Sequence, residues 1–142
     1  MSTRVTAAAE LKSWDEHTWD GKRHDEVAGP KHTVGGMTAS YTGGLEGVGD
    51  QRFVMSYSGD DSCASTGYEV VTGTLDGREG SFVLHHTGGF GNGVAETTFT
   101  VVSASGGLAG LTGTGRITWA RGEPGRFELD YEPAGSSSSS QG

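Results

Sequence analysis

Basic residues are scarce in this chain. Its 10 Lys and Arg stand against 18 Asp and Glu, so the formal net charge is −8. Such a chain, with no basic stripe, repels phosphate groups, and we therefore expect neither nucleic acid nor an anionic membrane as a partner. The sequence also lacks a long apolar run and a charged-then-apolar leader, which favours a soluble protein that is not exported.

Cysteine is nearly absent, since Cys63 is the only one. An internal disulfide is therefore excluded, and a single thiol is typical of a reducing compartment, so we expect a cytoplasmic protein. Asp60 and Asp61 precede Cys63. Their negative charge predicts a raised thiol pKa, so Cys63 is not expected to act as a nucleophile.

Apolar residues make up only 32% of the chain, whereas 26 of its 142 residues are glycine. This is far above the usual glycine content of about 7%. The glycines follow no collagen period and alternate with Thr, Val, Leu and Phe. Together with the absence of a helical pattern of useful length, this predicts many short strands joined by tight turns.

The clearest strand pair is the segment 67–88, in which Asp76-Gly77 is a strong turn signal. Two registers fit. A two-residue turn places Leu75 opposite Arg78, and a longer loop places Glu69 opposite His86. In both registers the alternation of the pleat puts Glu69 and His86 on one largely apolar face, together with Val71, Gly73, Phe82 and Leu84.

Similar alternation elsewhere predicts about eight antiparallel strands in all. A sheet of this size usually closes to remove its edges, so we expect an all-β fold, a closed eight-stranded antiparallel barrel in one domain over residues 1–133. The Ser-rich tail 134–142 is expected to be disordered. The remaining predicted strands are 4–13, 34–42 with a continuation over 45–49, 51–58, 94–103, 116–121 and 126–132.

The segment 14–33 reads as a long polar loop, and Trp14 and Trp19 in it are expected to cover an apolar opening. None of its acidic and histidine side chains has a compact zinc spacing, so no metal and no cofactor are expected. The side chains of this segment that carry metal-ligating groups are Asp15, Glu16, His17, His24, Asp25 and His32.

A second loop, over 103–115, is expected to tuck Leu108 and Leu111 onto the barrel end.

The sequence resembles an actinobacteria-rich family of domains of unknown function over about residues 4–131. The resemblance rests on several motifs that occur in this order: SWDE, GP, YTGGLEG, the 67–88 segment and LAGLTGTG. The resemblance implies an eight-stranded barrel like that of plant allene oxide cyclase. Glu16 and Pro30 resemble, at wider spacing, a Glu and a Pro that flank the cyclase ligand pocket. Dirigent proteins share this barrel, and somewhat similar barrels fold reactive molecules in a dry cavity in polyketide pathways.

Two functional hypotheses follow, and both use the barrel interior. The first is a cofactor-free cyclase or isomerase that acts on a small apolar metabolite, in the manner of natural-product biosynthesis. Glu69 and His86 are its candidate proton-transfer couple, Glu16 is added by the resemblance, and Tyr57 or Tyr131 is a candidate hydrogen-bond donor. The candidate ligand-binding residues are Trp14, Pro30, Phe53, Met55, Tyr57, Phe82, Leu84, Phe99, Trp119, Phe127 and Tyr131.

The alternative is a lipocalin-like carrier or sensor that binds a small molecule without chemistry. A third interpretation is an interior completely filled by side chains, which leaves a structural or interaction protein. The residues do not distinguish a monomer from a homo-oligomer, and they do not identify the ligand.

Overall fold

The computed structural model describes residues 3–59, 62–91, 93–120 and 122–132. Apart from one 3-10 turn at His24–Glu26, its regular structure is entirely β. The all-β prediction is confirmed. The strands are β1 Thr3–Thr18, β2 Lys31–Gly43, β3 Leu45–Gly59, β4 Ser62–Leu75, β5 Arg78–Gly91, β6 Val94–Gly106, β7 Thr112–Ala120 and β8 Gly125–Glu132.

The eight strands form one antiparallel sheet that follows chain order and closes on itself. Closure is made by β1, which pairs with β2 on one side and with β8 on the other. We call this ring of strands the barrel. In the part of the chain that the structure describes, no helix is long and apolar enough to cross a membrane.

The β4–β5 hairpin adopts the tighter of the two predicted registers. Leu75 lies opposite Arg78, and the turn residues Asp76 and Gly77 have φ angles of 49° and 86°. This left-handed pair is the geometry that favours Asp-Gly in a two-residue hairpin. Glu69 consequently lies opposite Leu84, and His86 lies two residues further along the same inward face.

Most strands are longer than predicted. β1 runs to Thr18 and β2 begins at Lys31, so the predicted 14–33 loop is wrong except for residues 19–30. β5 also continues through Gly88 and Gly89 to Gly91, so these glycines lie within a strand. A Cβ on Gly88 would lie 2.1 Å from the Glu96 carbonyl oxygen, so glycine here allows close strand approach and does not mark a turn.

A β-bulge in β1 changes which of its residues face inward. The register shifts between Leu11 and Ser13, so the simple alternation that predicts Leu11 inside fails, and Leu11 is 46% exposed. Beyond the bulge, Glu16 and Thr18 are buried. The extra residue shifts the phase of the pleat, and this shift brings Glu16 into the barrel.

Side chains fill one end of the barrel. Leu108 and Leu111, in the short connection between β6 and β7, are buried there as predicted. They belong to one continuous apolar cluster that reaches the middle of the barrel. Its larger members are Val5, Tyr41, Leu45, Val71, Leu75, Phe82, Leu84, Phe99, Val101, Ile117, Phe127, Leu129 and Tyr131. The predicted tail 134–142 lies outside the described residues.

Candidate functional site

The other end of the barrel is open and holds a partly enclosed cavity of about 380 Å³. Small residues make room for it, because Ser65, Gly89 and Ala95 occupy wall positions there. Apolar and aromatic side chains form most of the remaining wall, as in typical small-molecule sites. These are Trp14, Met37, Phe53, Met55, Phe90, Ile117 and Trp119.

A buried carboxylate, Glu16, lies in the cavity wall, with its side chain only 1% exposed. Its Oε2 accepts hydrogen bonds from the Thr33 and Tyr57 hydroxyls, both at 2.6 Å. Its Oε1 accepts from Trp14 Nε1 at 3.1 Å and lies 3.7 Å from His24 Nε2. Three donors stabilise a carboxylate that burial alone would disfavour.

Tyr57 and Lys31 join this carboxylate to the rim of the cavity. Burial, followed by the hydrogen bond to Glu16, holds the pKa of Tyr57 well above its ordinary value, so its hydroxyl keeps its proton. The Lys31 ammonium lies 4.7 Å from the centre of the Tyr57 ring. It also donates to the carbonyls of His24 and Val27 at 2.8 and 2.7 Å, which fastens the loop 19–30 beside the cavity.

A second polar cluster lies deeper in the barrel. Glu69 Oε1 lies 2.7 Å from His86 Nε2, and Glu69 Oε2 accepts a 2.5 Å hydrogen bond from the Tyr41 hydroxyl. The side chains of Glu69 and His86 are 1% and 2% exposed. Burial, then the nearby Glu69 charge, raises the pKa of Tyr41 well above its ordinary value. The cluster is therefore a buried network in which each polar side-chain atom has a hydrogen-bond partner.

Thr97 connects the deeper cluster to the cavity. Its hydroxyl lies 2.8 Å from His86 Nδ1, and the residue is part of the cavity wall. Glu69 and His86 themselves do not line the cavity. The couple predicted from the sequence is thus in contact, but it reaches the cavity only through a third residue.

A family model for "Protein of unknown function (DUF3224)" matches residues 5–131. The chain belongs to the DUF3224 family. A crystal structure of a DUF3224 protein of unknown function from Shewanella oneidensis MR-1 is similar to it, with 26% sequence identity and a TM-score of 0.75. The similarity covers 94% of this chain and 98% of that chain. No curated protein matches the sequence.

The predicted membership of a family of domains of unknown function is therefore confirmed. The predicted ligand-binding residues of this DUF3224 chain divide between the cavity and the packed core. The cavity wall contains Trp14, Phe53, Met55, Tyr57 and Trp119, together with the predicted catalytic residue Glu16. The filled part of the barrel contains Phe82, Leu84, Phe99, Phe127 and Tyr131, and Pro30 is exposed in the loop 19–30.

The two tryptophans expected to cover an opening behave differently. Trp14 packs on Phe53 with ring centroids 4.8 Å apart and lines the cavity. Trp19 is 68% exposed, and its indole N–H donates to the Thr33 carbonyl away from the cavity wall. Of the two tryptophans, only Trp14 therefore lies at the open end of the barrel where it can cover the cavity.

The cavity wall also contains residues that the sequence did not predict to bind a ligand, namely His24, Lys31, Gln51, Cys63 and Thr97. Cys63 lies in β4. Its pKa is raised, as predicted, although the main cause is burial, with Glu16 adding to it. Alternation along β6 puts Thr97 on the same inward face as Phe99, so its position was predictable from the sequence. A threonine alone does not indicate function, so its role was not.

Histidine and acidic residues of β1 and the following loop do not gather into a metal centre. Across residues 3–59, 62–91, 93–120 and 122–132, no three His, Cys, Asp or Glu side chains are grouped so that they could hold a metal ion. His17 Nδ1 instead lies 3.4 Å from Asp15 Oδ1, and the His32 ring packs at a tilt against Trp19 with ring centroids 5.0 Å apart.

Proposed function

We propose that this DUF3224 chain binds a small, largely apolar molecule in the cavity at the open end of the barrel. The observation that carries the proposal is the cavity itself, 380 Å³ with a predominantly aromatic and apolar wall. A fold that needed only a packed core would fill this space, because protein interiors are otherwise close-packed.

The position of Glu16 supports a ligand with one polar end. The Glu16–Tyr57–Trp14 hydrogen bonds are on the cavity wall, where a hydroxyl or carbonyl group of a ligand could join them. Apolar walls with a few convergent polar groups give a site both affinity and orientation. The acidic net charge of −8 favours neutral ligands over anions.

A second candidate function is a cofactor-free isomerase or cyclase that acts on the same bound molecule, in natural-product biosynthesis. It is favoured by the buried Glu16 carboxylate in the wall, beside the protonated Tyr57 hydroxyl at 2.6 Å. A carboxylate and a phenol at one place could accept and donate protons during a rearrangement. The sequence motifs that resemble a family with an allene oxide cyclase-like barrel support this candidate by analogy.

The binding proposal is tested by filling the cavity. Ala95 lines the cavity, so Ala95→Phe places a ring inside it, whereas Ala64→Phe adds the same ring at an exposed position of β4. With 1-naphthol as a neutral probe, we expect saturable quenching of tryptophan fluorescence in the parent protein. Ala64→Phe should leave the affinity within about twofold, and Ala95→Phe should weaken it at least about tenfold, which corresponds to about 1.4 kcal/mol.

Absence of saturable binding in the parent protein would contradict the proposal. Equal affinity of the two Phe variants would place the probe elsewhere on the molecule. Circular dichroism of both variants provides the control for folding.

A further inference from the structure

Three groups in the barrel are arranged in series. Glu69 lies 2.7 Å from His86 Nε2, and His86 Nδ1 lies 2.8 Å from the Thr97 hydroxyl. The carboxylate and the imidazole are buried, whereas the hydroxyl belongs to the cavity wall. A carboxylate, an imidazole and a hydroxyl in this order are the elements of a nucleophile activated by a general base.

One imidazole tautomer fits these contacts. An ionised carboxylate only accepts hydrogen bonds, so Nε2 of a neutral His86 donates its proton to Glu69. Nδ1 is then the unprotonated nitrogen and accepts from the Thr97 hydroxyl. Tyr41 donates to the second Glu69 oxygen at 2.5 Å, which holds the carboxylate in this orientation. The network is thus arranged for removal of the Thr97 proton.

We propose that Thr97 is an activated hydroxyl that attacks small carboxylic esters bound in the cavity. His86 is its general base, and Glu69 and Tyr41 are positioning residues. The inference rests on the proposed function only in that the cavity must admit the ester. Gln51 also lines this cavity, and its side-chain amide is the candidate donor for the oxygen that becomes negatively charged.

The steps balance with water as the second reactant. Thr97 Oγ forms a bond to the carbonyl carbon of the ester, and its proton moves to His86 Nδ1. The ester C–O bond breaks, and the leaving alcohol takes that proton. Water then adds to the acyl group and gives a proton to Nδ1. The acyl–Oγ bond breaks, and the proton returns to Oγ as the carboxylic acid is released.

Two probes test the proposal. The first is 1-naphthyl acetate, whose hydrolysis releases 1-naphthol and is followed by absorbance. The second is diisopropyl fluorophosphate, which would form an Oγ–P bond at Thr97 with loss of fluoride, as shown by intact mass and peptide mapping. We expect hydrolysis above the buffer rate and one phosphoryl group, located on Thr97.

Substitutions of similar volume make the test specific. Thr97→Val keeps the shape of the side chain but removes its hydroxyl, and we expect at least a tenfold loss of both hydrolysis and labelling. Thr97→Ser restores a hydroxyl and should retain both. Thr98→Val changes the next residue, which is exposed on the outer face of β6, and should change neither. Unfolding midpoints and 1-naphthol binding are measured for each variant.

If the parent protein binds 1-naphthol but neither hydrolyses the ester nor labels at Thr97, the inference is overturned and the binding proposal stands. Labelling that survives Thr97→Val also overturns it. Failure to bind 1-naphthol, in contrast, contradicts the proposed function itself.

Discussion

Individual residues in this barrel are constrained by a few very close approaches. Gly49 provides an example, because it lies on the inward face of β3 directly behind the buried carboxylate of Glu69. A Cβ at this position would lie 1.9 Å from Glu69 Oε2 and 3.1 Å from the Tyr41 ring. The absence of a side chain at Gly49 therefore allows the Tyr41–Glu69–His86 network to form.

We expect Gly49→Ala to destabilise the protein by about 1–3 kcal/mol, as is typical of an overpacked interior. The measurement is the free energy of unfolding in urea. Gly91→Ala is the matched control, because no atom lies within 4 Å of the Cβ it would add. If the two variants were equally stable, the carboxylate would not occupy the position described.

Tyr131 predicts a dependence of stability on pH. Its hydroxyl donates to Asp76 at 2.5 Å, and burial, then this hydrogen bond, raises its pKa from 10.0 to about 12. In the unfolded chain the phenol loses its proton at its ordinary pKa, so the folded state binds more protons between the two values. This contribution to stability is fully present below pH 10.0 and is lost as the pH rises through about 12.

We expect the free energy of unfolding of the parent protein to fall across this alkaline range. The free energy of unfolding of Tyr131→Phe should be lower at the start of this range and should fall less steeply, because the contribution of Tyr131 is gone. It should still fall, because the raised pKa values of Tyr41 and Tyr57 contribute losses of the same sign. Urea unfolding at a series of pH values measures both slopes. Parallel slopes in the two proteins would show that the Tyr131 pKa is not raised.

At the scale of the element, hairpin turns and bulges determine which residues face the interior. The Asp76-Gly77 turn fixes the register of β4 against β5, and its positive φ angles suit glycine and, less well, aspartate. The bulge at Leu11–Ser13 determines that Glu16 points inward. The first feature has a clear dipeptide signal, whereas the second has none.

The turn gives a prediction with a closely matched control. Gly77→Ala forces a side chain onto a residue with φ of 86°, so we expect it to cost about 1–2 kcal/mol. Gly59→Ala should change stability by no more than about 0.5 kcal/mol. Both glycines have open space around an added Cβ, and only Gly77 has a positive φ. Urea unfolding of the two variants measures the difference, and equal costs would contradict the assigned turn.

For the whole molecule, much of the architecture was predictable from the sequence. Strict alternation in segments such as 94–103 and 126–132 indicated antiparallel strands, and eight of them favour a closed ring. Strand ends were missed because glycines such as Gly88 also occur inside strands where two backbones approach closely. Local sequence cannot distinguish that use of glycine from a turn.

The candidate site was less predictable, for a physical reason. Alternation placed Glu69 and His86 on one inward face, and the two side chains are in contact there. Which end of the barrel is filled depends on the summed volumes of side chains from all eight strands. Leucines such as Leu45 and Leu75 fill one end, while Ser65, Gly89 and Ala95 leave the other open. This difference in side-chain volume between the two ends of the barrel becomes apparent only when all eight strands are assembled.

The three tryptophans provide the most direct test of the central claim, that the cavity at one end of the barrel binds a small apolar molecule. Trp14 and Trp119 line the cavity and Trp19 does not. We therefore expect titration with 1-naphthol, followed by ¹H–¹⁵N NMR, to shift the indole N–H signals of Trp14 and Trp119 in a saturable manner. The Trp19 signal should stay in place. Shifts confined to Trp19, or no saturable shift at Trp14 and Trp119, would contradict the account.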